Sequence, residues 1–185
     1  MEVIEFFQYI KTPTTVLHVV GVIIGMGSAL VSDVLFSFFS KDKNLNTTEL
    51  RTLLILKDIV FYNLILIVFS GSIIFFTNIE GYLGSVKFMA KMSILLVLLI
   101  NGYVLNKYIL PHLLNKNFFK SKKEKTIRKL AFACGAVSVI SWLFVATLGV
   151  LDNINMSYSL IISGYLFVVF LGTSVSLMIE KKEFN

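Results

Sequence analysis

The sequence predicts an all-α polytopic membrane protein: a bundle of five transmembrane helices with its N-terminus outside and its C-terminus inside. Three observations predict it. Five apolar segments are each long enough to cross a bilayer, which takes about 20 residues. The composition, 56% hydrophobic with 17 Phe and only 15% charged residues at a mean hydropathy of +0.83, is too apolar for a soluble core. The basic residues gather on alternate connections between the apolar segments, the pattern that retains loops on the cytoplasmic side. At 185 residues there is room for one domain, 1–185, and strands do not suit segments of this length.

The start, Met1 to Thr15, carries Glu2, Glu5, Lys11 and Pro13 and lacks the basic n-region and small-residue cleavage site of a signal peptide, so the first apolar segment is expected to stay as a helix. Spacing and composition place the helices at about 14–39, 52–77, 85–110, 128–151 and 157–179. Asn78–Gly84 (NIEGYLG) and Asp152–Ser157 (DNINMS) read as short turns, whereas Lys41–Arg51 and Asn115–Lys129 are longer and polar. The first long connection holds Lys41, Lys43 and Arg51. The second holds Lys116, Lys120, Lys122, Lys123, Lys125, Arg128 and Lys129, and the tail adds Lys181 and Lys182 on the same side. The other side has only Lys11 and Lys87 near its surface, which sets the orientation. A multi-pass protein of the cell membrane, in bacteria the inner membrane, is expected. An excess of 17 Lys+Arg over 11 Asp+Glu would suggest nucleic acid in a soluble chain. Here it is a topology signal, no nucleic-acid partner is expected, and the partner is the lipid bilayer. The basic run at 116–129 is also a candidate site for anionic lipid headgroups. The lone cysteine, Cys134, has no partner for an intramolecular disulfide.

Polar groups inside crossings are costly and usually face the bundle interior, so function is sought there first. In helix 1, His18, Gly21, Gly25, Ser28 and Ser32 recur at steps of 3 and 4 and share one face. Gly21 and Gly25 form a GxxxG pair that lets a backbone approach closely, either a neighbouring helix or a second copy in a homodimer. Asp33 and Lys57 fall at matching depth near the basic side, and a buried ion pair between them is expected. Lys91 of helix 3 falls near the depth of His18, and the two are expected to flank one outward-opening cavity between helices 1, 2 and 3. Asn101, Gly102 and Asn106 lie further along helix 3, Asn63 and Ser70 share a face of helix 2, and Cys134, Ser138 and Ser141 share a face of helix 4 beside Trp142. Interhelical hydrogen bonds and close packing are the simplest account of these stripes. No Asp or Glu accompanies His18 at its depth, so catalysis of the kind soluble hydrolases use is not indicated.

Two histidines raise bis-histidine haem ligation, but His112 follows Pro111 at the opposite end of the bundle from His18, too far for one iron. His18 remains a candidate single metal ligand, with Met89 or Met92 near enough in depth to be a second.

The segments LHVVGVIIG (Leu17–Gly25), FSG (Phe69–Gly71) and KFMAKMSILLVLLING (Lys87–Gly102) resemble the first three helices of a superfamily of small bacterial membrane proteins that includes HemJ-type protoporphyrinogen oxidases and CopD-like domains. The resemblance spans roughly the first 110 residues, and its motifs are short. It implies a haem-associated bundle binding haem b, with His18 as the iron ligand and Lys91 as an anchor for a propionate or other anion, in a site that would also include Asn101 and Met92. One departure is Asn101, near where the family's third helix carries a histidine, and it bears against the oxidase activity.

The leading expectation is therefore a haem- or porphyrin-linked redox membrane protein. A second is a small transporter or channel, with His18, Lys91, Asn101 and Asn106 along a polar path and Asp33 with Lys57 as an inner gate. A third is an accessory or scaffold subunit whose polar stripes are structural.

Overall fold

The computed structural model describes residues 3–115, 118–151 and 155–184. Glu2, Lys116 and residues 152–154 of the DNINMS connection lie outside the described residues. Every regular element among the described residues is helical. These are α1 (Val3–Ser40), α2 (Thr47–Phe76), the short α3 (Ile79–Leu83), α4 (Val86–Leu113), α5 (Lys125–Val150) and α6 (Tyr158–Phe184). All but α3 contain a stretch long and apolar enough to cross a membrane, which gives the expected five-helix bundle. Hydrocarbon offers backbone groups no partners, and continuous helices satisfy them internally.

The ends follow local chemistry. Asn46 caps α2 through a capping box: its Oδ1 accepts from the Glu49 N–H, and Glu49 Oε2 accepts from the Asn46 N–H, both at 2.9 Å. Asn78 and Ser85 cap α3 and α4 with their side-chain oxygens. Helix α1 runs on through Pro13, so it starts well before the position expected from the sequence. Its first turns are tied down where Gln8 Nε2 donates to the carbonyl of Thr77, just past α2. Within α4, residues Leu105–Ile109 are π-helical and lead directly into Leu110–Leu113. Pro111 has no N–H to give to the preceding turn, and the widened turn, in which Leu110 N–H reaches Leu105 O, accommodates that gap.

The helices pack as two groups. Helices α1 and α2 make the most extensive pair, while α4, α5 and α6 pack on one another. The groups meet chiefly along α1 and α5. There Trp142, 3% exposed, sits in a cluster with Ala29, Ile67 and Leu98. A second cluster, Ala90, Ile94, Leu148, Ile161 and Tyr165, holds α4, α5 and α6 together. Hydroxyls add bonds across helices. Ser141, in the stripe read from spacing, has its Oγ 2.8 Å from Tyr165 OH; outside those stripes, Ser93 Oγ and Tyr158 OH are 2.9 Å apart and Ser176 Oγ donates to Phe132 O at 2.7 Å.

One charge in the basic run has a role its topology reading missed. Arg128 is buried, not solvated: its Nε donates to Glu180 Oε1 of α6 at 2.8 Å, with the two side chains 4% and 1% exposed. Its Nη1 also donates to Phe119 O at 3.2 Å, and its guanidinium lies over the Phe184 ring at 4.6 Å. The pair thus fastens the connection before α5 to the end of α6, and Arg128 drops out of any headgroup site. Lys120, Lys123 and Lys129 remain exposed. Replacing Arg128 or Glu180 alone by an apolar residue leaves a buried charge uncompensated and should destabilise the bundle by about 3–5 kcal/mol. Replacing both, Arg128→Met with Glu180→Leu, should cost clearly less. Reversible unfolding in mixed micelles measures the difference; a double variant as damaged as either single one would contradict a paired role.

Candidate functional site

Helix α2 packs on α1 and makes no comparable contact with α4, so the two diverge and leave a groove between them. Its volume is about 930 Å³, at the upper end of the roughly 300–1,000 Å³ usual for small-molecule sites. One wall is α2 from Leu50 to Ser72, a length of about 33 Å at 1.5 Å per residue. The facing wall is α4 from Leu99 to Leu113, including the π-helical turn with Asn106 and Ile109. The floor is Ala29, Ser32, Asp33 and Phe36 of α1 with Ala131 and Ser138 of α5. Wall residues Phe61, Ile65, Phe69 and Tyr103 are more than half exposed, so the groove opens sideways, where lipid surrounds the bundle.

Its chemistry is graded along its length. Asp33, Lys57, Asp58 and Asn106 form a polar band about 10 Å in from the end of the groove nearest the basic connections, where Leu50, Leu53, Leu54, Leu110 and Leu113 line it. On the other side the lining continues as Val60, Leu64, Ile65, Val68, Phe69 and Leu99. A polar band with a longer apolar trough on one side suits an amphiphile.

Asp33 and Lys57 both line the groove, but the ion pair expected between them is not formed. Lys57 Nζ lies 2.9 Å from Asp58 Oδ1, its neighbour in sequence, with the two side chains 40% and 57% exposed. Asp33 is turned toward α5 instead. Its Oδ1 stands 3.2 Å from where a Cβ on Gly135 would be, and Ser138 lies beside the carboxyl. Its Oδ2 is shut off from solvent and has no hydrogen-bond partner among the described residues. Asp33 also lines a smaller cavity of about 250 Å³ between α1, α5 and α6, so its carboxyl stands in the partition between two spaces.

His18 is elsewhere. It faces α2, where its Nδ1 is 3.0 Å from Ser70 Oγ and its Cε1 is 3.2 Å from the position of a Cβ on Gly71. The Ser70 hydroxyl donates to Leu66 O at 2.6 Å, and the His18 ring also hydrogen-bonds the Ile67 backbone. Lys91 is half-buried and close enough for its charge to bear on His18. Neither residue lines the groove. Asn101 is 8% exposed and spends its amide on the Cys134 carbonyl at 3.1 Å. Met92 is 45% exposed on the outer face of α4. His112 pairs with Glu124 at 2.7 Å at the basic end. No three His, Cys, Asp or Glu side chains cluster as a metal site among the described residues.

The Gly21 and Gly25 face is also accounted for within the chain. A Cβ on Gly21 would meet Leu66 and Ile67 at 3.3 Å, and one on Gly25 would meet Asn63 Cβ and Trp142 at 3.2 Å. Both glycines are buried against α2 and Trp142, which leaves that face closed to a second copy.

No family model matches this chain, and neither a curated protein nor a solved structure matches it.

Proposed function

We propose that this integral membrane protein binds a lipid-like amphiphile in the groove between α2 and α4. The observation that carries the proposal is the graded lining: a volume of about 930 Å³ with its charged and amide side chains in one band nearer the basic end, a longer apolar trough beyond, and a side opening toward lipid. An apolar chain entering sideways never has to cross water, and the polar band receives the head group. Haem association finds less support. What favours it is an imidazole inside a crossing held in orientation by Ser70, as metal-ligating imidazoles commonly are by a second partner. Against it stand the engagement of Asn101 with the Cys134 carbonyl, the exposure of Met92 and a groove that His18 does not line.

The basic end of the bundle is proposed to face the cytoplasm in the cell membrane, with the N-terminus outside, because Lys and Arg in short connections set orientation. A reporter fused after Asn185 should then behave as cytoplasmic, and periplasmic activity of that fusion would reverse the assignment.

Trp142, the sole tryptophan, supplies a direct reporter of groove occupancy. It shares a buried cluster with Ala29, against which Val60 and Leu64 pack, and all three of these line the groove. An amphiphile with a brominated chain, such as 9,10-dibromooctadecanol, should quench its fluorescence saturably. The variant Gly102→Phe fills the groove from a position where a Cβ meets nothing within 4 Å. It should fold normally and weaken quenching at least tenfold. Linear, unsaturable quenching that is equal in both proteins would overturn the proposal.

A further inference from the structure

We infer that Asp33 is the head-group acceptor of the groove and that the preferred ligand is a long-chain amine, bound as its ammonium. The inference rests on the groove reading above and names the class of its ligand. A carboxyl at membrane depth with one oxygen unpartnered is costly, and such groups in membrane proteins commonly mark a ligand or ion path. The intrachain partner at the right depth, Lys57, is already engaged by Asp58, and no ion pair to Asp33 forms among the described residues. The groove lining holds two acids and one lysine, a balance that favours a positive head group over a negative one.

Position agrees with charge. Asp33 is seven residues before the end of α1 at Ser40, about 10 Å along the helix axis, so a head group beside it sits near one membrane face. The alkyl chain would then run along Leu64, Val68 and Phe69 toward the bundle's other end, as a lipid of that leaflet does. A carboxylate only accepts hydrogen bonds, whereas an ammonium offers three donors and its charge strengthens each bond. An alcohol of the same chain length offers one uncharged donor. A fatty acid, when ionised, offers none and meets like charge.

The experiment compares three probes with one brominated chain, 9,10-dibromooctadecylamine, the corresponding alcohol and the corresponding acid, by quenching of Trp142 in the purified full-length protein in neutral micelles. The amine should bind at least tenfold more tightly than the alcohol, and the acid more weakly than the alcohol. Asp33→Asn should bring the amine to within about twofold of the alcohol while leaving alcohol binding unchanged. Asp42→Asn, at an exposed acid in the connection after α1 and outside the groove lining, should keep the preference. Equal affinity of the wild-type protein for amine and alcohol overturns the inference even if Asp33→Asn fails to fold, and leaves the groove reading standing because the alcohol still quenches. A preference that survives Asp33→Asn, or is lost in Asp42→Asn, also overturns it, as does tighter binding of the acid. Saturable quenching by none of the probes, as when a second copy fills the groove, removes the groove reading itself and this inference with it.

Discussion

Inside a bilayer a polar group finds a partner within the protein or goes without, and that constraint organises this molecule. The helices satisfy their own backbones. The side chains of Ser70, Ser141, Ser176, Asn101 and Thr173 give their protons to backbone carbonyls. Arg128 and Glu180 satisfy each other at the basic end. Three buried side-chain oxygens among the described residues have no partner, on Asp33, Glu180 and Glu183. The latter two belong to the last turns of α6, where Glu180 already holds Arg128 through its other oxygen. Asp33 is the exception within a span, and it stands where the packing of the bundle leaves a groove.

The groove arises from how the helices are grouped. Helix α2 is buried at only Leu53, Ile67 and Ser70, and α1 is its main partner. Helix α4 belongs to the other group, held to α5 and α6 by Ile94, Leu98 and Asn101. Trp142 and Gly25 join the groups: the glycine admits the indole, and the indole fills what would otherwise be a void at the crossing. The groups touch at this hub and separate toward the side and toward the basic end. The π-helical turn before Pro111 carries Asn106 and Ile109 along the resulting wall.

The sequence made the fold class and the depth of each polar residue legible, because both follow from length, hydropathy and rise per residue. Azimuth was harder. Asp33 and Lys57 do lie on one cavity at matching depth, yet Asp33 is rotated by about 80° from Gly25, at 100° per residue, and so looks past α2 to α5. Lys57 had a closer partner at the next residue, which a matching of depths between helices overlooks. Arg128 was absorbed into the topology signal of its neighbours. Matching it with Glu180, an acid in the last helix at the same end, would have revealed the pair. The groove itself left no trace in composition: α2 is apolar on all sides, and apolar residues facing lipid, a core or a cavity look alike in sequence. The site around His18 and Lys91 was placed by depth alone, and a reading by depth does not show that His18 is engaged by Ser70 of α2.

The central claim is that an amphiphile occupies the space between α2 and α4 in preference to the rest of the lipid-facing surface. Photolabelling in vesicles with a lipid carrying a diazirine in its alkyl chain, followed by peptide mapping, tests it most directly. The account predicts that Ile65, Val68, Leu99 and Tyr103 are labelled well above Val16, Phe167 and Met178, which are similarly or more exposed but lie away from the groove. Labelling that follows exposure alone, with no excess on the facing walls of α2 and α4, would contradict it.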